Sequence, residues 1–148
     1  KILCNQNKPF SLLLSTAFHE KAKFGDFGNI SNELIDIYGK NIHFLGFLSD
    51  SAINYFIKKT NLLAAFFPRG IRANNTTAYL SMEKSCPLIT NLDSFSPPWM
   101  KHMVNVYDIN FISEKLKLKE KDLLRIGKNG LKDVNKHSNW QKLIEILS

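Results

Sequence analysis

Asn61-Leu62-Leu63-Ala64-Ala65-Phe66-Phe67-Pro68-Arg69-Gly70-Ile71-Arg72-Ala73-Asn74-Asn75-Thr76-Thr77-Ala78-Tyr79-Leu80-Ser81-Met82-Glu83-Lys84 runs from an apolar segment through a polar loop into a helical pattern. The unit reads strand, loop, helix. The first amides of a helix have no partner inside it and carry the positive end of its dipole, so such a junction suits an anion. Asn75 or Thr76 suits the N-cap. Arg69 and Arg72 add permanent charge with planar donors that match phosphate, and Gly70 lets the backbone turn sharply or approach a ligand. An ordinary capped loop with two solvated arginines would use the same residues, and these residues alone leave both readings open.

Outward from this unit the rhythm repeats. On the N-terminal side, Phe10-Ser11-Leu12-Leu13-Leu14-Ser15-Thr16-Ala17-Phe18 is a nearly continuous apolar run of strand length, as expected in a parallel sheet covered on both faces. Residues 21–28 read as a Gly-bearing loop, and residues 31–38 as a short helix stopped by Gly39. Residues 41–47 form a second strand. Ser49 and Asp50 can cap a helix over 51–60, with Ile53, Phe56 and Ile57 on one face.

On the C-terminal side, 62–67 is a strand, a helix follows Asn75, and Pro87-Leu88-Ile89-Thr90-Asn91 is another strand. The loop 92–99, with Pro97-Pro98, cannot be regular structure. Val104-Asn105-Val106-Tyr107 is a weaker strand. Residues 119–148 read as helical with a break near His137, after which Ser138-Asn139-Trp140-Gln141 has the form of a capping box and Trp140, Leu143, Ile144 and Leu147 make an apolar face. Strands separated by helices imply an α/β fold with a parallel sheet. Ligands of such folds bind at the carboxyl ends of the strands, where the 69–77 loop lies.

The 148 residues suit a single domain of ordinary globular composition, 44% hydrophobic and 22% charged. The formal net charge of +7 favours anionic partners. Lys115, Lys117, Lys119 and Lys121 alternate with Glu114, Glu120 and Asp122, which reads as a solvated face rather than a docking stripe. The aromatic residues fall mostly at core positions, so no nucleic-acid partner is expected. Cys4 and Cys86 lack metal-ligand spacing, and Cys86, beside an apolar strand, reads as an inert core thiol. No apolar run approaches the roughly 20 residues of a membrane span. The absence of an initiator Met makes a piece of a longer protein the expectation.

From Asn41 onward the order of pieces resembles the C-terminal domain of GT-B-fold glycosyltransferases of the group 1 type. Asn41-Ile42-His43-Phe44-Leu45-Gly46-Phe47-Leu48-Ser49-Asp50 is similar to that family's V-x-F-L-G-F-V-S/P-D/E strand, and 62–68 to its hydrophobic strand before P-S. Met82-Glu83-Lys84-Ser85-Cys86-Pro87-Leu88-Ile89-Thr90 resembles its E-A-M-A-x-G-x-P-V-I-A turn, and His137-Ser138-Asn139-Trp140 the F-S-W start of its final helix. The likeness spans about two thirds of the chain and rests on order and spacing rather than on one motif.

The resemblance implies a Rossmann-like three-layer domain, residues 1–148, forming one half of a GT-B fold and binding a nucleotide-sugar donor. The acceptor, a glycan or lipid-linked molecule, would be held by an N-terminal domain outside this chain. Carried over by position, Arg69, Gly70, Arg72, Asn74, Asn75, Thr76 and Thr77 would meet the donor diphosphate. Gly46, Phe47, Leu48 and Glu83 would lie near the nucleoside. The setting implied is polysaccharide synthesis in the bacterial cytoplasm, with peripheral association at the inner face of the membrane.

Two departures bear on chemistry. The family's paired glutamates fall on Arg72 and Leu80, so the loop is expected to neutralise phosphate charge by itself, with no metal and no cofactor. Arg69 or Arg72 is then the group expected to stabilise the leaving diphosphate, and no catalytic base is assigned. Counting strands backward, the family's opening strand-helix unit with its basic pair is expected before Lys1, unless the chain is a short form. Two other classes compete: a non-catalytic nucleotide- or polyanion-binding module of the same fold, and a receiver-like domain. The latter needs acidic strand ends, where Thr16, Gly46, Pro68 and Asn91 stand instead.

Overall fold

The computed structural model describes residues 8–15, 24–113 and 117–138. The chain is mixed α/β, with parallel strands in two small sheets flanked by helices. It divides into two compact units, Lys1–Ile53 and Asn54–Ser148, with the boundary inside helix α2 (Asp50–Lys59).

In Lys1–Ile53, β1 (Leu12–Ser15) pairs in parallel with β2 (Ile42–Gly46), Leu12 opposite Ile42 and Leu14 opposite Phe44. The strand expected over 10–18 is realised as β1, and residues 16–18 lie outside the described residues. The loop expected at 21–28 is corrected: α1 spans Phe24–Tyr38 and contains Gly28. A Cβ at Gly28 would meet nothing within 4 Å, so the glycine answers no packing demand. Its weak helix propensity does not break a helix that runs on both sides of it. Ser31, which looks like a helix start, instead sends its hydroxyl back to the Gly28 carbonyl at 2.9 Å within the helix. The stop at Gly39 is as expected, with φ of +54°.

The start of α2 also follows expectation. Ser49 Oγ accepts from the Ala52 amide at 3.4 Å and Ser49 O from the Ile53 amide at 2.9 Å. Ile57 is buried, with Ile53 and Phe56 half-buried.

Asn54–Ser148 holds a three-stranded parallel sheet in the order β3 (Leu63–Ala64), β4 (Leu88–Thr90), β5 (Tyr107–Asp108), with helices α3 (Thr76–Glu83) and α4 (Glu120–His137). The ladders are shorter than the apolar runs 62–67 and 87–91 suggest, and β5 lies at the end of its expected stretch. Alternate residues of β4 enter two clusters. Leu88 packs with Ile71, Ala78, Met82, Met100, Val106 and Val134, whereas Ile89 packs with Tyr107 and Ile126. Each large apolar side chain so buried contributes about 1.5–3 kcal/mol. Helix α4 serves both clusters, through Ile126 and Val134.

Helix α3 closes with a paired turn. The Cys86 amide donates to Ser81 O at 2.8 Å and the Ser85 amide to Met82 O at 2.9 Å, with Ser85 at φ +56°. The turn delivers Cys86 into the interior, where burial pushes its thiol up to about 11 and keeps it protonated at neutral pH. Helix α4 ends at His137, which stacks flat on Trp99 with ring centroids 5.3 Å apart. The final helix expected beyond Ser138 lies outside the described residues. Among those residues, no helix is long and apolar enough to cross a membrane.

Candidate functional site

The carboxyl edge of the three-stranded sheet carries the 66–77 loop, and side chains rather than strand pairing hold it there. Past β3, backbone pairing stops after the Ala65 amide, which donates to Ile89 O at 3.0 Å. The Asn91 side chain then takes over the ladder's role. Its Oδ1 accepts from the Phe67 amide at 2.9 Å and its Nδ2 donates to Phe67 O at 2.6 Å. Next, the Gly70 amide closes a turn onto Phe67 O at 3.1 Å across Pro68 and Arg69, a sequence suited to that turn. The Ile71 amide returns to Asn91 O at 3.1 Å, and Ile71 is fully buried.

Gly70 sits at φ +72°, and a Cβ there would lie 2.7 Å from the Asp93 carboxyl carbon. The backbone conformation favours glycine, and any larger residue would also have to push the Asp93 side chain aside. Asp93 is what occupies the space: Arg72 grips it with two parallel bonds, Nη1 to Oδ1 at 2.8 Å and Nη2 to Oδ2 at 2.7 Å. Arg72 Nη1 also donates to Ile71 O at 2.9 Å, and the guanidinium lies 5.7 Å from the Phe95 ring centre. Asp93 in turn accepts from the Phe95 amide at 2.9 Å and the Ser96 hydroxyl at 3.1 Å.

This setting holds the Asp93 carboxyl at about 2, below its ordinary 3.8, chiefly through the hydrogen bonds from Arg72 and against the opposing effect of desolvation. A carboxylate with a depressed folded value contributes in full above pH 3.8, and that contribution disappears as pH falls through about 2. An NMR titration of the Asp93 carboxyl carbon is therefore expected to give a midpoint near 2, and Arg72→Ala to return it toward 3.8. A midpoint unchanged by the substitution would refute the pairing.

Asn75 occupies the N-cap position of α3 without capping it. Its Oδ1 turns back to accept from the Arg72 amide at 2.6 Å, while the Ala78 and Tyr79 amides both reach Asn75 O, at 3.0 and 3.2 Å. The Thr76 amide reaches Asn74 O at 3.0 Å, and the Thr77 amide meets no acceptor among the described residues. Thr76, Thr77, Asn74 and Arg69 are exposed, and Arg69 joins no acidic group among the described residues.

The structure thus brings Gly70, Arg72 and Asn75 into one hydrogen-bonded loop, with Arg69, Asn74, Thr76 and Thr77 on its surface. Of the two arginines weighed for phosphate, Arg72 is committed to Asp93 and Arg69 is the available cation. Glu83 stands at the far end of α3, about 10 Å along the helix from Thr76. Gly46, Phe47 and Leu48 belong to Lys1–Ile53, where Gly46 ends β2 at φ +67°, its carbonyl accepting from the Ser15 hydroxyl at 3.1 Å. Phe47 is 80% exposed.

Sequence reasoning missed Asn91 and Asp93. A signal existed for Asp93: Asp93-Ser94-Phe95-Ser96 is the pattern of an aspartate bonding to the amide two residues on. Behind it, buried Asp108 accepts from the Leu92 and Asn110 amides at 3.2 and 3.1 Å, and His102 Nδ1 accepts from the Asp108 amide at 3.0 Å. Buried Asn105 ties the Trp99 carbonyl, the Lys101 amide and Asp133 together, the last at 2.6 Å. Thr90 Oγ1, buried at the end of β4, has no hydrogen-bond partner among the described residues.

Comparison of the chain with family models, with curated proteins and with solved structures finds no match.

Proposed function

We propose that this chain is the Rossmann-like donor-binding half of a GT-B glycosyltransferase, working in the cytoplasm on a nucleotide-sugar donor and a glycan or lipid-linked acceptor. One observation carries the reading. The start of α3 is left uncapped by its own N-cap side chain, because Asn75 is diverted to the Arg72 amide, and the open Thr77 amide stands beside exposed Thr76 and Asn74. A diphosphate oxygen supplies the acceptor that this turn lacks.

In the transfer, the bond between the anomeric carbon and the diphosphate oxygen breaks with its electron pair leaving on the diphosphate. The acceptor hydroxyl forms the new bond and gives up its proton. The open Thr77 amide at the start of α3 and the exposed Arg69 guanidinium stabilise the leaving charge. Arg72 is a positioning residue in this scheme: through Asp93 it fixes the backbone at Gly70 and Ile71. The proposal rests on Asn54–Ser148 alone.

The test is a titration with UDP, GDP, ADP and inorganic pyrophosphate, followed by backbone amide NMR. One nucleotide is expected to shift the amides of residues 70–77, and Arg69→Ala to weaken it about 10-fold, as for one charge-assisted hydrogen bond. If none of the four ligands moves those amides, the donor site is rejected. Binding without glycosyl transfer by the full-length protein would favour the non-catalytic module instead.

A further inference from the structure

The formal excess of +7 belongs wholly to Asn54–Ser148, since Lys1–Ile53 carries five basic and five acidic residues. On α4 the cations are ordered. Lys121, Arg125, Lys128, Lys132 and Lys136 are all exposed. At 3.6 residues per turn they fall within an arc of about 80° and extend over about 22 Å. The helix's acidic residues Glu120, Asp122 and Asp133 lie outside that arc. No ion pair engages the four lysines among the described residues; Arg125 meets Asp122 at 3.6 Å. The opposite side of the helix holds buried Ile126, Gly127, Gly130 and Val134, so the stripe cannot turn inward.

Two exposed apolar side chains flank the stripe. Leu124, 58% exposed, borders one side. On the other, Arg125 Nη1 donates to Met103 O and Asn129 Nδ2 to Val104 O, both at 2.9 Å, which docks the turn bearing Val104, 44% exposed, against the helix.

We infer that this face of α4 lies on an anionic lipid bilayer. The stripe is dominated by lysines, diffuse point charges that suit a surface of many headgroups rather than forked recognition of single phosphates. Leu124 and Val104 give it the apolar margin that enters the headgroup boundary and has no use on a sugar-phosphate backbone. α4 carries no Phe, Tyr or Trp on which nucleic-acid bases could stack.

Flotation of the full chain with phosphatidylcholine vesicles, with and without phosphatidylserine, tests this at low and high salt. Binding is expected to the anionic vesicles only and to fall as salt rises. K121Q/K128Q/K132Q is expected to lower the partition coefficient about 100-fold, at about fivefold per lysine. L124S should weaken vesicle binding without affecting any binding to duplex DNA. Should the triple variant fail to show the wild-type circular dichroism, K128Q/K132Q replaces it, with about a 30-fold loss expected. Equal binding to neutral and anionic vesicles overturns the proposal. So does a folded variant with wild-type partition, or duplex DNA bound more tightly than vesicles with L124S silent on both.

Discussion

Gly127→Ala is expected to lower the unfolding free energy by about 3 kcal/mol, the upper range of overpacking, and the melting temperature by about 10 °C. In an exposed helix the same change would be a gain of about 1 kcal/mol. Packing reverses the sign: a Cβ at Gly127 would stand 2.1 Å from the Ser85 carbonyl oxygen and 3.4 Å from Pro87 Cδ. The first of these is backbone. It belongs to the turn that closes α3, where Ser85 already holds a left-handed conformation and is tied to Met82 O, so it has little freedom to retreat. Gly130, one turn on, provides the control. Its Cβ would meet Asn105 O and Met82 Cε at 3.4 Å, contacts that a slight adjustment accommodates. Gly130→Ala is accordingly expected to lie near zero in the same denaturant melts. Equal effects at the two positions would sink the account.

The second large effect is expected at Gly70. Ala there adopts φ near +72° at a cost of about 1–2 kcal/mol and must also displace the Asp93 carboxylate from 2.7 Å. The displacement disturbs the Arg72–Asp93 pair, so the proposed nucleotide binding at residues 70–77 should weaken along with stability. A double-mutant cycle isolates the cause. Asp93→Ala removes the obstructing group, so it should destabilise the wild type but partly rescue Gly70→Ala. Strict additivity of the two would show that Asp93 is not what Gly70 makes room for.

The alternation of strands and helices was legible because apolar runs and stop signals are local. Ser49 and Gly39 behave as their residue types predict. Gly28 and Ser31 misled because a helix is set by its neighbours on both sides, and a glycine or serine within it is merely tolerated. The arginines of the 69–77 loop were visible as candidates, but their roles were not. Arg72 is decided by Asp93, 21 residues away, and the length of β3 by Asn91, 24 residues from its partner Phe67. No local pattern encodes such pairs. The basic stripe on α4 escaped for a related reason: the alternation of charges at 114–122 drew attention to composition, whereas the order appears only when the cations are placed around a helix.

The suspension of the 66–77 loop has a consequence for how its history would read. Three polar side chains, Asn75, Asn91 and Asp93, do the work that a longer β-ladder would do, and each is spent on the chain itself. Backbone pairing tolerates almost any residue; a carboxamide seated on both the amide and the carbonyl of Phe67 tolerates almost none. A survey of viable substitutions would therefore mark Asn91 and Asp93 as fixed and invite the conclusion that they touch a ligand. In this loop, intolerance to change would measure scaffolding, whereas the exposed side chains of Arg69 and Thr77 are under no such demand from the fold.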